Sequence, residues 1–361
     1  MRLEILVLLL ALSLTVADDN ISCVISDAVS NRTFSHYLRN IAALPGFTNV
    51  ERLRRAYHIR SAFRKAGLTM HYEETSQEGL TIIGIHKPID SNEDTPLWLV
   101  SAHYDTVANT TGLFDNSAGV AALLETARVL TPALKNFNGT TAEVWFIAWD
   151  REEEYSGSWS WISSKSEKDL KRIAGVWNMD SVGSISQQPS GQRVPPGLEQ
   201  LLPDVYHQIE SVRIQRKLAE DSPNVQQNFR PNFLTVITDS RSVVMATIYN
   251  QTVARCRIPI RVIAVPLPYP GSTVCGSLIG NFGDFCRSDH AAFWSKGIEA
   301  VHITDTADLR NPCYHETCDE WKEMREENWL FLLQMTSSLA QTVFDVATSP
   351  SSQPLVPIQN E

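Results

Sequence analysis

Ser101-Ala-His-Tyr-Asp-Thr106, followed by Leu113-Phe-Asp-Asn-Ser-Ala-Gly119, is the stretch on which the reading of this chain turns. The apolar run Leu97-Trp-Leu-Val100 leads into it and reads as a buried strand. The periodic apolar run from Val120 to Leu130 follows and reads as a helix packed on a sheet. His103, Asp105 and Asp115 therefore fall at the carboxyl end of a strand, where open α/β sheets hold their ligands. One imidazole and one carboxylate, His103 and Asp115, suit a hard-to-borderline cation. Asp105 shares the strand face of His103 by the period of two. It is placed to accept the other ring N–H, the usual partner of a metal-bound histidine. The plain alternative is an Asx-rich loop in which Asp115 caps the next helix.

Working outward, the pattern repeats. Upstream, helices are expected over Ser30 to Ala43 and Asn49 to Ala66, the second with Leu53, Ala56, Ile59 and Phe63 at helical spacing and Gly67 as its C-cap. Leu68 to Glu74 and Leu80 to His86 alternate as strands. Downstream, Ala142 to Trp149 is a buried strand ending in Asp150-Arg-Glu-Glu-Glu154, and Gly175 to Asp180 is another with a terminal carboxylate. Leu198 to Leu218 reads as helix and Ala219 to Pro231 as a surface excursion, while Val244 to Ile263 mixes helix and strand signals. Ser288-Asp-His290 precedes a short helix; Ala300 to Thr304 is a last strand before Tyr314-His315; Glu327 to Ala347 is a closing helix. Strands separated by helices predict one α/β domain over 18–349, with a mostly parallel sheet covered by helices on both faces. In such a sheet His103, Asp115, Glu152 to Glu154, Asp180 and His315 gather on one edge. So many carboxylates repel one another unless cations relieve them. Each has a plain reading alone, as a buried acid, a core histidine or a solvated face; their joint placement at strand ends predicts a metal centre.

A net charge of −10 over 361 residues, with no long basic run, argues against nucleic acid or an anionic membrane as partner. Met1-Arg2, the apolar core Ile5 to Val16 and the small residue Ala17 read as a secretory signal over 1–17, too short to span a bilayer. The six cysteines suit an oxidising compartment, with Cys313–Cys318 and Cys275–Cys286 favoured as local pairs and Cys23–Cys256 as the remainder. Sequons at Asn20, Asn31, Asn109, Asn138 and Asn250 fit a glycosylated surface, and 350–361 reads as a disordered tail.

From Leu97 to Asp319 the motifs His-x-Asp, Asp-Asn-x-x-Gly with a Leu-Leu-Glu helix, Asp-x-Glu-Glu, Asn-x-Asp, Ser-Asp-His and Tyr-His occur in one order. This order resembles the secreted co-catalytic dizinc exopeptidases, metallopeptidase family twenty-eight, whose simplest members are bacterial leucine aminopeptidases. The resemblance implies the zinc exopeptidase fold and two Zn2+ per chain. It implies His103 and Asp180 on one zinc, Glu153 and His315 on the other, and Asp115 between them. It further implies Glu152 as general base, Tyr314 as oxyanion donor, Asp105 as the group orienting His103, and Asp289 or Asp319 as outer support. The implied enzyme is a secreted monomer that takes peptides with a free N-terminus. Counting the glutamates from Asp150 gives this assignment; counting back from Gly157-Ser158 shifts both by one, and metal geometry follows the strand end. Relatives usually carry Gly in the region of Tyr155-Ser156, so that loop is altered here. The pocket for the cleaved residue is expected from 184–280, with Trp149, Trp161, Trp177 and Phe282 as candidates that equally suit core.

Three other functions compete. A glutaminyl cyclase-like aminoacyltransferase resembles the same fold with a single zinc. A non-enzymatic binding domain would have lost its metals, yet every expected ligand is present. Carboxypeptidase or dipeptidase action needs a basic cluster for a free carboxylate, which is not apparent in the sequence.

Overall fold

The computed structural model describes residues 23–75, 78–137, 139–186, 191–220, 232–276 and 280–349. The expected signal, the tail, Asn20, Asn138 and most of the expected 219–231 excursion lie outside the described residues.

The strands, in chain order, are β1 Thr69–Glu74, β2 Leu80–His86, β3 Leu97–His103, β4 Glu143–Trp149, β5 Ile173–Met179, β6 Phe233–Thr238, β7 Arg261–Pro266 and β8 Ala300–Thr304. They form one sheet in the order β1-β2-β4-β3-β5-β8-β6-β7. β4, β3, β5 and β8 run parallel as neighbours, so their carboxyl ends share one edge. β2 pairs antiparallel with both β1 and β4, and β6 antiparallel with β8. The sheet is thus mostly parallel, as expected.

The helices are α1 Val24–Asp27, α2 Asn31–Ile41, α3 Asn49–Lys65, α4 Ala118–Asn136, α5 Gly157–Ser164, α6 Glu167–Lys171, α7 Leu198–Leu201, α8 Pro203–Glu220, α9 Val243–Arg255, α10 Gly271–Gly276, α11 His290–Ser295 and α12 Glu326–Thr348. Alternation along the buried strands separates two cores. On β3, Trp98, Val100 and Ala102 face the core made with α2, α3, α4 and α12. Leu97 and Leu99 face the opposite core, with Trp149, Trp161, Phe293 and Trp294. β3 is buried along its whole length, as a strand covered on both faces must be. No helix among the described residues is long and apolar enough to cross a membrane.

One segment the sequence reading passed over and one it left open are resolved, and one helix position is corrected. β6, Phe-Leu-Thr-Val-Ile-Thr, was not anticipated, although six β-branched or apolar residues in a row are a buried-strand signal. The ambiguous 244–263 region resolves into α9 and then β7. In α3, Leu53 is 60 % exposed. The inward positions beside Ala56, Ile59 and Phe63 include Arg52 and Arg55, because that end of the helix meets polar loops and not a sheet face. Arg55 donates to the carbonyls of Leu44, Tyr104 and Thr111. Arg52 pairs with Asp150 at 3.0 Å, both nearly fully buried. A capping box between Thr48 and Glu51 starts the helix.

All three expected disulfides are present: Cys23–Cys256, Cys275–Cys286 and Cys313–Cys318. The first ties the N-terminal segment to the end of α9.

Candidate active site

β3 ends at His103, which is fully buried. Its Nε2 lies 3.2 Å from Asp180 Oδ1, just past β5, and 3.3 Å from Asp115 Oδ1. Glu152 Oε2 is 4.0 Å from the same nitrogen. The second oxygen of Asp115 faces the other way: Oδ2 is 3.1 Å from His315 Nε2, which is also 3.2 Å from Glu153 Oε2. The side chains therefore form two groups, His103 with Glu152 and Asp180, and Glu153 with His315, with Asp115 offering one oxygen to each.

Asp115 does not cap α4. It sits in a wide turn, Leu113–Ser117, out of helical conformation, and no side chain caps the helix start. Asp319 holds that turn: Oδ1 accepts from Phe114 N at 3.0 Å and Oδ2 from Asp115 N at 3.1 Å. The Asp319 carbonyl accepts from Leu113 N and from the hydroxyls of Thr110 and Thr111. Asp319 directly follows Cys318, so the disulfide loop that carries Tyr314 and His315 is locked to the turn that carries Asp115. His315 is thus supplied by a loop eleven positions beyond β8, not by a strand end as expected, and it sits at the exposed rim.

Asp105 lies 3.4 Å from His103 Nδ1, on the expected side, though poorly aligned for a hydrogen bond. It has a further task that the sequence reading missed: it accepts from the amides of both Glu152 and Glu153. Those bonds fix the turn from which the two glutamates reach the cluster. Glu154 instead pairs with Arg151 at the surface, so the inward pair is the one counted from Asp150. Arg151, Tyr155, Ser181 and His315 all adopt positive φ, and all flank these acids. Such backbone costs about 1–3 kcal/mol per residue and concentrates where function fixes geometry. At Tyr155, φ is 52°, so the altered loop keeps a conformation that suits glycine.

As protein alone, the cluster is overcharged. Burial, with neighbouring acids adding to it, pushes Glu152 well above the ordinary range and Glu153 up to about 7. Asp289 is pushed up to about 7 by burial, and one of its oxygens has no partner. Burial works against a charge on His315, but Asp115 and Glu153 raise it to about 10. These groups hold protons that cations would displace. Carboxylates and imidazoles with bare acceptor atoms, including a buried Glu153 oxygen, are the donor set zinc takes. The residues therefore fit two metal ions.

Tyr314 stacks on His315, ring centres 3.9 Å apart, and its hydroxyl accepts from Arg287 Nη2 at 3.0 Å. Arg287 is held in turn by Asp308.

The sequence profile of peptidase family M28 matches residues 81–239 and 264–340. The chain belongs to peptidase family M28. The first M28 stretch contains His103, Asp105, Asp115, Glu152, Glu153 and Asp180; the second contains Asp289, Tyr314, His315 and Asp319. Aminopeptidase YwaD of Bacillus subtilis strain 168 is 37 % identical over 117 residues, 32 % of this chain and 24 % of that protein, so the match spans about a quarter of its length. The aminopeptidase of Aneurinibacillus sp. strain AM-1 superposes with a TM-score of 0.63 at 14 % identity, covering 94 % of this chain and 98 % of that one. Glutaminyl cyclase of Porphyromonas gingivalis superposes with a TM-score of 0.55 at 14 % identity, covering 87 % and 98 %. These two likenesses concern the fold.

Beside the M28 cluster, sharing Asp180 and Tyr314 with it, opens a cavity of about 90 Å³. Trp149, Trp161 and Trp177 do not line it; they are core. β6, β7 and β8 supply five of its lining residues, and loops and helices supply the rest; part of the lining falls within the expected 184–280 region and part, from Asp284 to Tyr314, lies beyond it.

Proposed function

We propose that the chain is a secreted zinc-dependent aminopeptidase that removes the N-terminal residue of peptides. The observation that carries this reading is the division of Asp115 between the two donor groups. In this reading His103 and Asp180 hold one zinc, Glu153 and His315 the other, and Asp115 serves both. Bound there, the metal pair would supply an acidified water and polarise the scissile carbonyl. The carboxylate of Glu152 takes the proton of the attacking water and hands it to the leaving amine. Tyr314 donates a hydrogen bond from its hydroxyl to the developing oxyanion, a role that suits a phenol kept protonated by burial and nearby acids. Asp105 fixes the His103 ring and both glutamates. The free α-ammonium of the substrate pairs with Glu152 and Asp180, which limits cleavage to the first residue. Three disulfides are compatible with an extracellular protein.

The test is hydrolysis of aminoacyl chromogenic substrates with and without a chelator, on wild type and Glu152→Gln. Release of free amino acids is expected. It should be abolished by the chelator and lowered about 10²–10⁴-fold by the substitution at unchanged zinc content. Full activity in the variant moves the proton carrier to another carboxylate. The likeness in fold to a glutaminyl cyclase keeps that chemistry as a second reading. One zinc per chain and cyclisation of N-terminal glutamine would favour it.

A further inference from the structure

The cavity beside the M28 cluster has a polar floor. β6 and β8 pair antiparallel with Thr235 opposite Thr304 and Ile237 opposite His302, and Val265 of β7 lies beside Ile237. All five line the cavity and are buried. Leu198, Ile209 and Phe285 close the sides. Arg193 and Asp284, both well exposed, mark the mouth. Asp180 and Tyr314 line the same cavity, so a side chain entering it belongs to a residue held at the cluster.

Two floor groups lack what buried polar groups almost always have. The Thr235 hydroxyl has no hydrogen-bond partner. Neither ring nitrogen of His302 makes a well-formed hydrogen bond, although the Asp180 backbone lies close to one of them. One face of His302 is stacked on His290 at 4.5 Å. The ring nitrogens of His302 are hydrogen-bonding groups at the floor of the cavity.

We infer that this cavity is the pocket for the cleaved residue and selects an uncharged side chain with an apolar flank and a hydrogen-bonding tip, which His302 and Thr235 receive. This rests on the aminopeptidase reading above. The walls reward apolar surface. The floor penalises a tip that leaves His302 and Thr235 unpartnered, because such a site discriminates against analogues lacking the polar group. The charges that line the cavity are already engaged, Arg287 and Arg193 with Asp308 and Asp180 with His103, so a lysine, arginine, aspartate or glutamate tip meets no free opposite charge, and burying an unpaired charge is costly. Tyrosine should therefore outrank phenylalanine, and glutamine should outrank leucine.

The experiment compares kcat/KM of the zinc-loaded enzyme on tyrosyl, phenylalanyl, glutaminyl and leucyl aminocoumarin amides. It uses wild type, His302→Phe and Thr235→Val, with melting temperature and zinc content checked for each. The expected wild-type ratio of tyrosyl to phenylalanyl is about tenfold or more, falling toward one in both variants. A wild-type preference for phenylalanyl over tyrosyl, or a ratio that neither variant changes, overturns the inference. Calorimetric binding of tyrosinamide and phenylalaninamide reads the pocket without turnover. If no aminoacyl amide is hydrolysed, the aminopeptidase reading falls. The pocket then stands on tighter binding of tyrosinamide and is refuted by equal binding. If a variant fails to fold, the remaining variant and the two amides decide.

Discussion

Replacing Asp319 with alanine removes two bonds from backbone amides to a carboxylate, Phe114 N at 3.0 Å and Asp115 N at 3.1 Å. Hydrogen bonds to a charged group contribute about 1.5–3 kcal/mol each. Their sum is partly offset, because the substitution also relieves the repulsion between Asp319 and Asp115. We therefore expect a loss near the lower end, about 3 kcal/mol. At about 2 cal/mol/K of unfolding entropy per residue, that corresponds to a melting point lower by about 4 °C. The larger effect falls on the metal. Asp115 serves both donor groups and its turn would no longer be held, so zinc affinity should drop by about 10–100-fold, the usual penalty for removing an outer support. Competition with a graded series of chelators, followed by zinc release, measures the affinity. Glu320→Gln, on the neighbouring half-buried carboxylate that pairs with Lys322, is the control. If Asp319→Ala keeps both zinc ions at wild-type affinity and melts within a degree of wild type, the reasoning about the turn is wrong.

Two further outcomes are expected. In metal-free protein, Glu153, Asp289 and Asp319 are pushed up to about 7, chiefly by burial, and His315 is raised to about 10 by Asp115 and Glu153 against the effect of burial. All four bind protons more tightly folded than unfolded. Their contribution is full at low pH and is lost as pH rises, first for the acids from about 4 to about 7 and then for the histidine up to about 10. Thermal melts from about pH 5 to about pH 9 should show the metal-free protein weakening steadily and the zinc-loaded protein resisting, since zinc replaces those protons; a metal-free protein that gains stability over this range contradicts the account. Separately, the Cys23–Cys256 bridge spans 233 residues. Chain entropy puts its contribution at about 5 kcal/mol. Cys23→Ser with Cys256→Ser should lower the denaturant midpoint accordingly, and an unchanged midpoint would remove the bridge from the stability account.

What the sequence disclosed follows from what periodicity can encode. β3, with its apolar run and terminal His103, was legible because a strand buried on both faces shows as continuous hydrophobicity. Asp180 and the glutamates were legible because each follows such a strand. His315 was found through its motif, but its element was misjudged, since a loop closed by Cys313–Cys318 has no period. β6 was passed over because it follows a polar stretch and carries two threonines among its apolar residues. With it went the β6 half of the pocket floor, Thr235 and Ile237. Arg52 and Arg55 were hidden because a buried arginine looks in sequence like any surface arginine; only the carbonyls and the carboxylate they meet reveal them. The bonds from the Glu152 and Glu153 amides to Asp105 join positions 47 and 48 residues apart, beyond any local pattern.

The short cystine loop between 313 and 318 carries Tyr314 and His315, and Asp319 follows it directly. Thiol chemistry and hydrolysis are thereby made interdependent. In a chain not yet oxidised Asp319 can still bond the turn that carries Asp115, but the loop that carries His315 lacks the covalent tie between its two ends. If the chain is the exported aminopeptidase proposed above, full competence would follow cystine formation, and a reducing interior would hold the enzyme back in the cell that makes it.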